Sequence, residues 1–436
     1  MWGTLSLAIL VTSLIFLFRK GFRSGIFAIA IGYRALVHWY RNLRGLTPDD
    51  IHERRIVSGQ AWDEFCDAIK AAGAVLSMPG TPQDPFNQAE GYRYLSRLIR
   101  GGLENFVECS DPLRPRLNAI ANGLRPAPIK LGSDSPDNLY ESAVIDGRFT
   151  YRLKGTRGTP KILGFGTQAG RYGGDGGLKT VDYKTIDDMV VNADGTFEVY
   201  LGPRKPDACP DSNYLRTLET PAEGMLLVRQ TFGVRTKETP AQLEIECITA
   251  SPGGSSSKLT CAALDTALSS AQLFIAGAPA MFAHWAAGFQ KHKNQLPLFD
   301  QELSNSVGGD PNIRYFHSYW ELKDDEALVI EATPPPCKFW NFQLNNHWME
   351  SLDYRYFPIH VNKYTAKYKR DGSIMIIVSK EDPHLSQETY TWLSTTDHNC
   401  GTMSFRWILP EVDGPDLPHP HTRVESIAQL KETQAH

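Results

Sequence analysis

Three side chains that can move protons fall close together at His347, Glu350 and Asp353, between the rings of Trp348 and Tyr354. A histidine and two carboxylates among aromatic rings have the residue types of a general acid–base site, since desolvation moves their pKa values. Alternation along an extended strand would place Glu350 on the face opposite His347 and Asp353. The competing reading is a charged corner that bonds Arg355 or Arg406. Trp340, Trp348, Tyr354, Arg406 and His284 are the candidate ligand-contacting residues.

Other chemistry-bearing patterns are weaker. His419-x-His421-x-x-x-Glu425 imitates a cupin metal pattern. Prolines 418 and 420 flank its histidines, and an exposed tail is the expectation there, with no metal. Gly164 to Gly177 is rich in glycine but lacks the G-K-[ST] of a phosphate loop. It reads as a mobile loop or wide turn that could border a pocket. Ser255-x-x-Lys258 matches a serine–lysine nucleophile pair in spacing alone, and no G-x-S-x-G elbow is present. No cofactor is indicated.

An internal repeat organises the elements that must carry these residues. Asp194-Gly195 and Asp371-Gly372 each open a hairpin turn and strand. Tyr214-Leu215 follows at 20 and 21 residues and Trp392-Leu393 at 21 and 22, and Arg229 and Arg406 each lie 35 residues after their aspartate. Two related β units of sandwich or jelly-roll type are expected. The two arginines read as structural ion-pair partners, with anion binding as the alternative.

Residues 61–77 and the run from Asn87 to Cys109 read as helices, the second weakened by Gly101-Gly102. A third helical block runs from about Lys258 to His292. Ala271 to Phe289 in it is apolar but for Gln272 and His284, and Pro279 is expected to kink it. A buried helix between the β units is favoured over a membrane span; lining a lipophilic pocket is the functional version.

Trp2 to Phe18 carries no charge, and Arg19, Lys20 and Arg23 follow at once. That is the short end of what spans a bilayer, and the basic flank puts the following chain on the cytoplasmic side. A cleaved signal peptide would need its basic residues first. In 25–46, Ile29, Tyr33, Leu36, Tyr40 and Leu43 lie opposite Arg23, Arg34 and Arg41. This suits an interfacial helix or one packed on the domain.

The net charge of −4 and the lack of long basic runs beyond the N-terminus argue against nucleic acid. The seven scattered cysteines contain no C-x-x-C and form neither a disulfide framework nor a zinc spacing.

Asp137-Asn138-Leu139-Tyr140, Ile145-Asp146-Gly147 and Tyr151-Arg152 resemble the opening of the domain of unknown function 1214 family. Phe339 to Leu344, His347 to Arg355, Asp371-Gly372-Ser373, Asp382-Pro383 and Phe405-Arg406-Trp407 resemble the same family in order and spacing, over about Asp134 to Val424. The resemblance implies a β-rich fold of jelly-roll-like units, often beside domain 1254, and no assigned activity. His384 stands where relatives usually have glycine.

The expected fold is α+β, mainly β: two related jelly-roll or sandwich units with an intervening helical block and an N-terminal transmembrane helix. The segments are 1–24 anchor, 25–130 helical, 131–257 first β unit, 258–295 helical insert, 296–425 second β unit and 426–436 tail. The functional expectation is a membrane-anchored protein that binds or modifies a lipophilic small molecule such as a lipid, sterol or terpenoid. The alternatives are a non-catalytic sandwich module at a membrane, or an acid–base enzyme or hydrolase using His347, Glu350 and Asp353.

Overall fold

The computed structural model describes residues 47–121, 128–170, 178–249, 258–306, 309–386 and 389–432. The expected anchor, the interfacial segment and Ser255 lie outside them. The chain divides into two compact units, one of 1–61 with 259–265 and the other of 62–258 with 266–436. In the smaller unit, helix α1 (Pro48–Val57) starts with a capping box between Thr47 and Asp50, and His52 and Arg55 both bond the Asp265 carboxylate.

The larger unit opens with α2 (Gln60–Ala72), which ends in a 3-10 turn, and α3 (Pro85–Leu103), capped by Asp84. The glycines of α3 are close-approach points. A Cβ on Gly91 would lie 2.6 Å from the Trp348 ring, and one on Gly102 would lie 2.8 Å from Ile275. Gly101-Gly102 therefore admits another helix against α3, and the helix runs through the pair unbroken.

The first β unit contains β1 (Asn118–Ala121), β2 (Asn138–Asp146), β3 (Tyr151–Thr156), β4 (Ile162–Gly170), β5 (Leu178–Thr185), β6 (Thr196–Gly202), β7 (Tyr214–Arg216), β8 (Glu223–Thr231) and β9 (Gln242–Cys247). Helices α4 (Cys261–Gln272), α5 (Ala278–Phe289) and α6 (Gln301–Ser306) follow. The second β unit contains β10 (Ile313–Glu321), β11 (Glu326–Ala332), β12 (Cys337–Leu344), β13 (His360–Asn362), β14 (Ile374–Ser379), β15 (Thr391–Ser394), β16 (Cys400–Pro410) and β17 (His421–Ser426), before α7 (Ile427–Glu432).

The duplication is exact in topology. The first unit pairs its strands in the orders β1-β2-β8-β4-β5 and β7-β6-β3-β9; the second uses β10-β16-β12-β13 and β15-β14-β11-β17. Apart from the added β1, these are the same two sheets twice. Even the parallel pair recurs, as β6 with β7 and β14 with β15. The local cause is visible at the turns. Gly195 and Gly372 have φ of 83° and 82°, which glycine adopts without strain. Asp194 and Asp371 accept from the backbone N–H two residues on, at 2.9 and 3.0 Å.

Each unit buries an apolar core between its two sheets. Leu163, Phe165, Leu226 and Val228 belong to the first core, and Trp340, Phe342, Phe405 and Trp407 to the second. The large sheet of each unit is also covered on its outer face. Ile162, Ile313, Phe339 and Ile408 form one apolar cluster that contains side chains from both units. The units thus meet through those outer faces.

Two expectations need correction. Gly164–Gly170 is not a loop but part of the buried strand β4. Its glycines make room for β5: a Cβ on Gly164 would lie 2.1 Å from the Tyr183 hydroxyl oxygen. The His421 segment is not a tail, because β17 pairs with β11 from His421 to Ser426. Among the described residues no metal-ligating cluster occurs. Pro279 lies within the continuous helical run Cys261–His292, just after the π-turn Leu273–Gly277 where the winding changes. Among the described residues one helix, Cys261–His292, is long and apolar enough to cross a membrane, and half of its most apolar window is buried inside the protein.

Candidate ligand cavity between the β units

Between the outer faces of the two large sheets lies a cavity of about 160 Å³. Its walls come from matched positions. In β2 and β8, Tyr140 stands opposite Arg229. In β10 and β16, Tyr315 stands opposite Arg406. All four line the cavity, with Phe282 and Trp285 of α5 as its helical side. Leu131, Ile120 and Leu227 add aliphatic surface, and the 131–135 segment adds polar backbone.

The two arginines share a position but not a partner set. Arg229 lies 3.9 Å from the buried Asp310 carboxylate. The side chain aligned with Gly164 opposite Arg229 is Asn341 opposite Arg406. Arg406 donates to Asn341 Oδ1 at 3.3 Å, to Gln343 Oε1 at 2.7 Å and to the Ser133 carbonyl at 2.6 Å. Its guanidinium also lies 5.8 Å from the Tyr315 ring centre. Among the described residues no carboxylate pairs with it. One carboxylate of the wider network, Asp137, accepts from the far end of the Asn341 amide at 2.9 Å.

The remaining polar lining is desolvated. Burial, with Arg406 second, pulls the His317 imidazole down to about 3, so it is neutral. Burial pushes the Tyr315 phenol up to about 12. Asp134 is pushed up to about 6 by burial, against the pull of Lys130 and two hydrogen bonds from Ser351. Tyr140 Oη accepts from Ser135 N–H and from the Asn138 amide.

The residues singled out in the sequence do not assemble into one acid–base site. His347 is buried, its Nδ1 lies 3.0 Å from the Tyr319 hydroxyl, and burial pulls its pKa down to about 4. Glu350 is buried elsewhere, paired with Arg97 at 2.5 Å and accepting from Asn346 Nδ2 at 3.0 Å. Asp353 is half-exposed and pairs with Arg355 at 2.9 Å, which holds its carboxyl below the usual range. The reason is local: residues 346–350 form a tight turn closed by Asn346 N–H to the Glu350 carbonyl, with Met349 at φ 57°. Strand alternation therefore does not apply to them.

Of the five candidate contact residues, Arg406 alone lines the cavity. Trp340 is core, stacked on Phe405. Trp348 packs on α3 and donates to the Asn87 carbonyl at 3.1 Å. Tyr354 lies under the Lys130 ammonium, and His284 is on the exposed face of α5. The sequence reading missed His317, Tyr315, Phe282 and Trp285. The repeat, carried back one strand from Arg229 and Arg406, would have paired Tyr140 with Tyr315; nothing in the sequence marks His317.

Comparison with known proteins adds family but no activity. A family model described as protein of unknown function (DUF1214) matches residues 140–229 and 322–412, one block in each β unit. A crystal structure of an uncharacterized protein from Burkholderia cenocepacia is 43% identical, with a TM-score of 0.79, and the match covers 86% of this chain and 99% of that one. A protein from Vibrio parahaemolyticus matches over 82% of this chain and 100% of its own at 9% identity, with a TM-score of 0.41, too low to carry an argument. No curated protein matches the chain. Two matched blocks and a relative this similar over its whole length place the chain in a family without an assigned activity: it belongs to the DUF1214 proteins of unknown function.

Proposed function

We propose that this protein binds a small molecule with an apolar body and one anionic group in the cavity between its β units. We further propose that Trp2 to Phe18 holds it on a membrane with the β units on the cytoplasmic side. Arg406 carries the binding reading. Three neutral oxygens accept from three of its five N–H donors and no carboxylate pairs with it among the described residues, and a buried charge is costly unless it is paired. A ligand anion supplies the counter-charge. The rings and aliphatic side chains around it supply the apolar contact that small-molecule sites use.

The volume narrows the ligand. A cavity of about 150 Å³ holds one six-membered ring, and this one measures about 160 Å³. That favours a ring-sized or short-chain acid over a sterol. The acid–base alternative lacks geometric support, because His347, Glu350 and Asp353 each bond a different partner.

The test is organic extraction and native mass spectrometry of the full chain purified in detergent. The expected result is a small acid recovered with the wild type and absent from Arg406→Gln. Equal recovery from both, or a neutral ligand alone, would overturn the reading.

A further inference from the structure

We propose that the ligand is a flat hydroxy-carboxylic acid whose carboxylate meets Arg406 and whose hydroxyl meets His317. This rests on the ligand-binding reading above and specifies the chemistry of the ligand. Its ground is a second, independent feature of the cavity wall.

His317 is 8% exposed and lines the cavity, and among the described residues its buried Nδ1 has no hydrogen-bond partner. Its register partner in β16 is Ser404, whose buried Oγ also has no partner among the described residues. Buried polar atoms are nearly always bonded, so two unsatisfied ones at facing positions point to a polar group that comes from elsewhere. Side chains of facing residues share one face of a sheet, and the period along a strand is two. His317 and Ser404 therefore lie on the same face as Tyr315, Arg406 and Asn341, in the next row of the sheet. The third member of the row, Gln343, is already committed: its Oε1 accepts from Arg406 and its Nε2 donates to the Asp134 carbonyl.

The imidazole is also held in place. It stacks on Tyr315 at 5.1 Å between ring centres and on Phe289 at 5.6 Å, with Phe299 edge-on at 5.2 Å. The unbonded nitrogen of a fixed, neutral ring donates in one tautomer and accepts in the other; a hydroxyl answers both, whereas a second carboxylate, which only accepts, answers one. Diagonal neighbours across antiparallel strands are roughly 7 Å apart. Such a spacing between the Arg406 and His317 positions suits two substituents set across a six-membered ring rather than on adjacent atoms. The aromatic lining at Tyr140, Tyr315, Phe282 and Trp285 suits the flat ring itself.

Isothermal titration of the detergent-purified full chain with benzoate, 3-hydroxybenzoate and 4-hydroxybenzoate tests this, with benzyl alcohol as the uncharged control. One of the two hydroxybenzoates is expected to bind at least 10-fold more tightly than benzoate. His317→Phe should erase that gain, so that benzoate and the hydroxybenzoates bind alike, and Arg406→Gln should lose all three acids. The His317 ring nitrogen signals of the wild type should shift with the tighter hydroxybenzoate and stay in place with benzoate, which gives a readout that needs no folded variant. No benzoate binding, or equal binding of benzyl alcohol, would overturn the anion-binding reading itself. Benzoate binding without a hydroxyl gain, a gain that survives His317→Phe, or unmoved His317 signals would overturn the hydroxyl contact alone.

Discussion

The two arginines at equivalent positions should respond differently to the same substitution. Arg229→Gln leaves the buried Asp310 carboxylate, 3.9 Å away, without its cation. Breaking a buried ion pair by removing one partner typically costs about 3 kcal/mol or more. Arg406→Gln leaves no carboxylate behind. It removes donors from Asn341 Oδ1, Gln343 Oε1 and the Ser133 carbonyl. Unmet neutral acceptors cost about 1 kcal/mol or more each, but the substitution also removes an unpaired buried charge, and the glutamine amide keeps one donor group. The expected net loss is about 1 kcal/mol. Urea denaturation of each purified variant, read by tryptophan fluorescence, gives the comparison. Arg229→Gln should lose clearly more stability than Arg406→Gln, while Arg406→Gln loses ligand. Equal losses, or a larger loss at Arg406, would refute the claim that no carboxylate pairs with Arg406.

Acid should destabilise the fold from just below neutrality. His347 and His317 have folded pKa values of about 4 and about 3, below the unfolded value of about 6.5. The unfolded chain takes up protons first, so their contribution is present above about 6.5 and lost as the pH falls toward the folded values, by ~1.4 kcal/mol per pH unit per histidine. Asp134, raised to about 6, has the opposite sign and offsets one of the two below that pH. Urea midpoints at pH 7, 6 and 5 should therefore fall, and flat midpoints would contradict the buried neutral histidines. Gly91→Ala should cost about 1–3 kcal/mol, because its Cβ would sit 2.5 Å from Leu76 Cδ2 and 2.6 Å from the Trp348 ring; an unchanged melting temperature would count against that packing. Glu350→Gln should lose about 3 kcal/mol by stranding Arg97, with ligand recovery unchanged; lost ligand at full stability would return Glu350 to the site. Deleting residues 1–46 should move the chain from sedimented membranes to the soluble fraction, and retention on membranes would contradict the anchor.

The duplication was legible because its turns are chemical. Asp194-Gly195 and Asp371-Gly372 need a positive-φ glycine and a capping carboxylate, and those two residue types show in any sequence. The matched arginines showed for the same reason, as charges ending matched strands. What surrounds them did not show. Tyr140, Tyr315 and His317 sit on outer faces of sheets, where polar and aromatic side chains look solvated; the facing β unit, the helical block with Phe289, and Phe299 cover them. The His347 group failed for a different reason. Proximity in sequence placed His347, Glu350 and Asp353 together, but the tight turn at 346–350 aims them at Tyr319, Arg97 and Arg355. Gly164–Gly170 misled through composition: glycines that read as a loop are there so that β5 can approach β4.

The central claim is that Arg406, with no carboxylate partner among the described residues, takes a small anion in the cavity between the duplicated units. Mass analysis of material extracted from detergent-purified wild type and Arg406→Gln, in equal amounts and with unfolding curves in hand, tests it most directly. The prediction is a small carboxylic acid present in the wild type and missing from a still-folded Arg406→Gln. The same acid in both, or no acid in either, would contradict it.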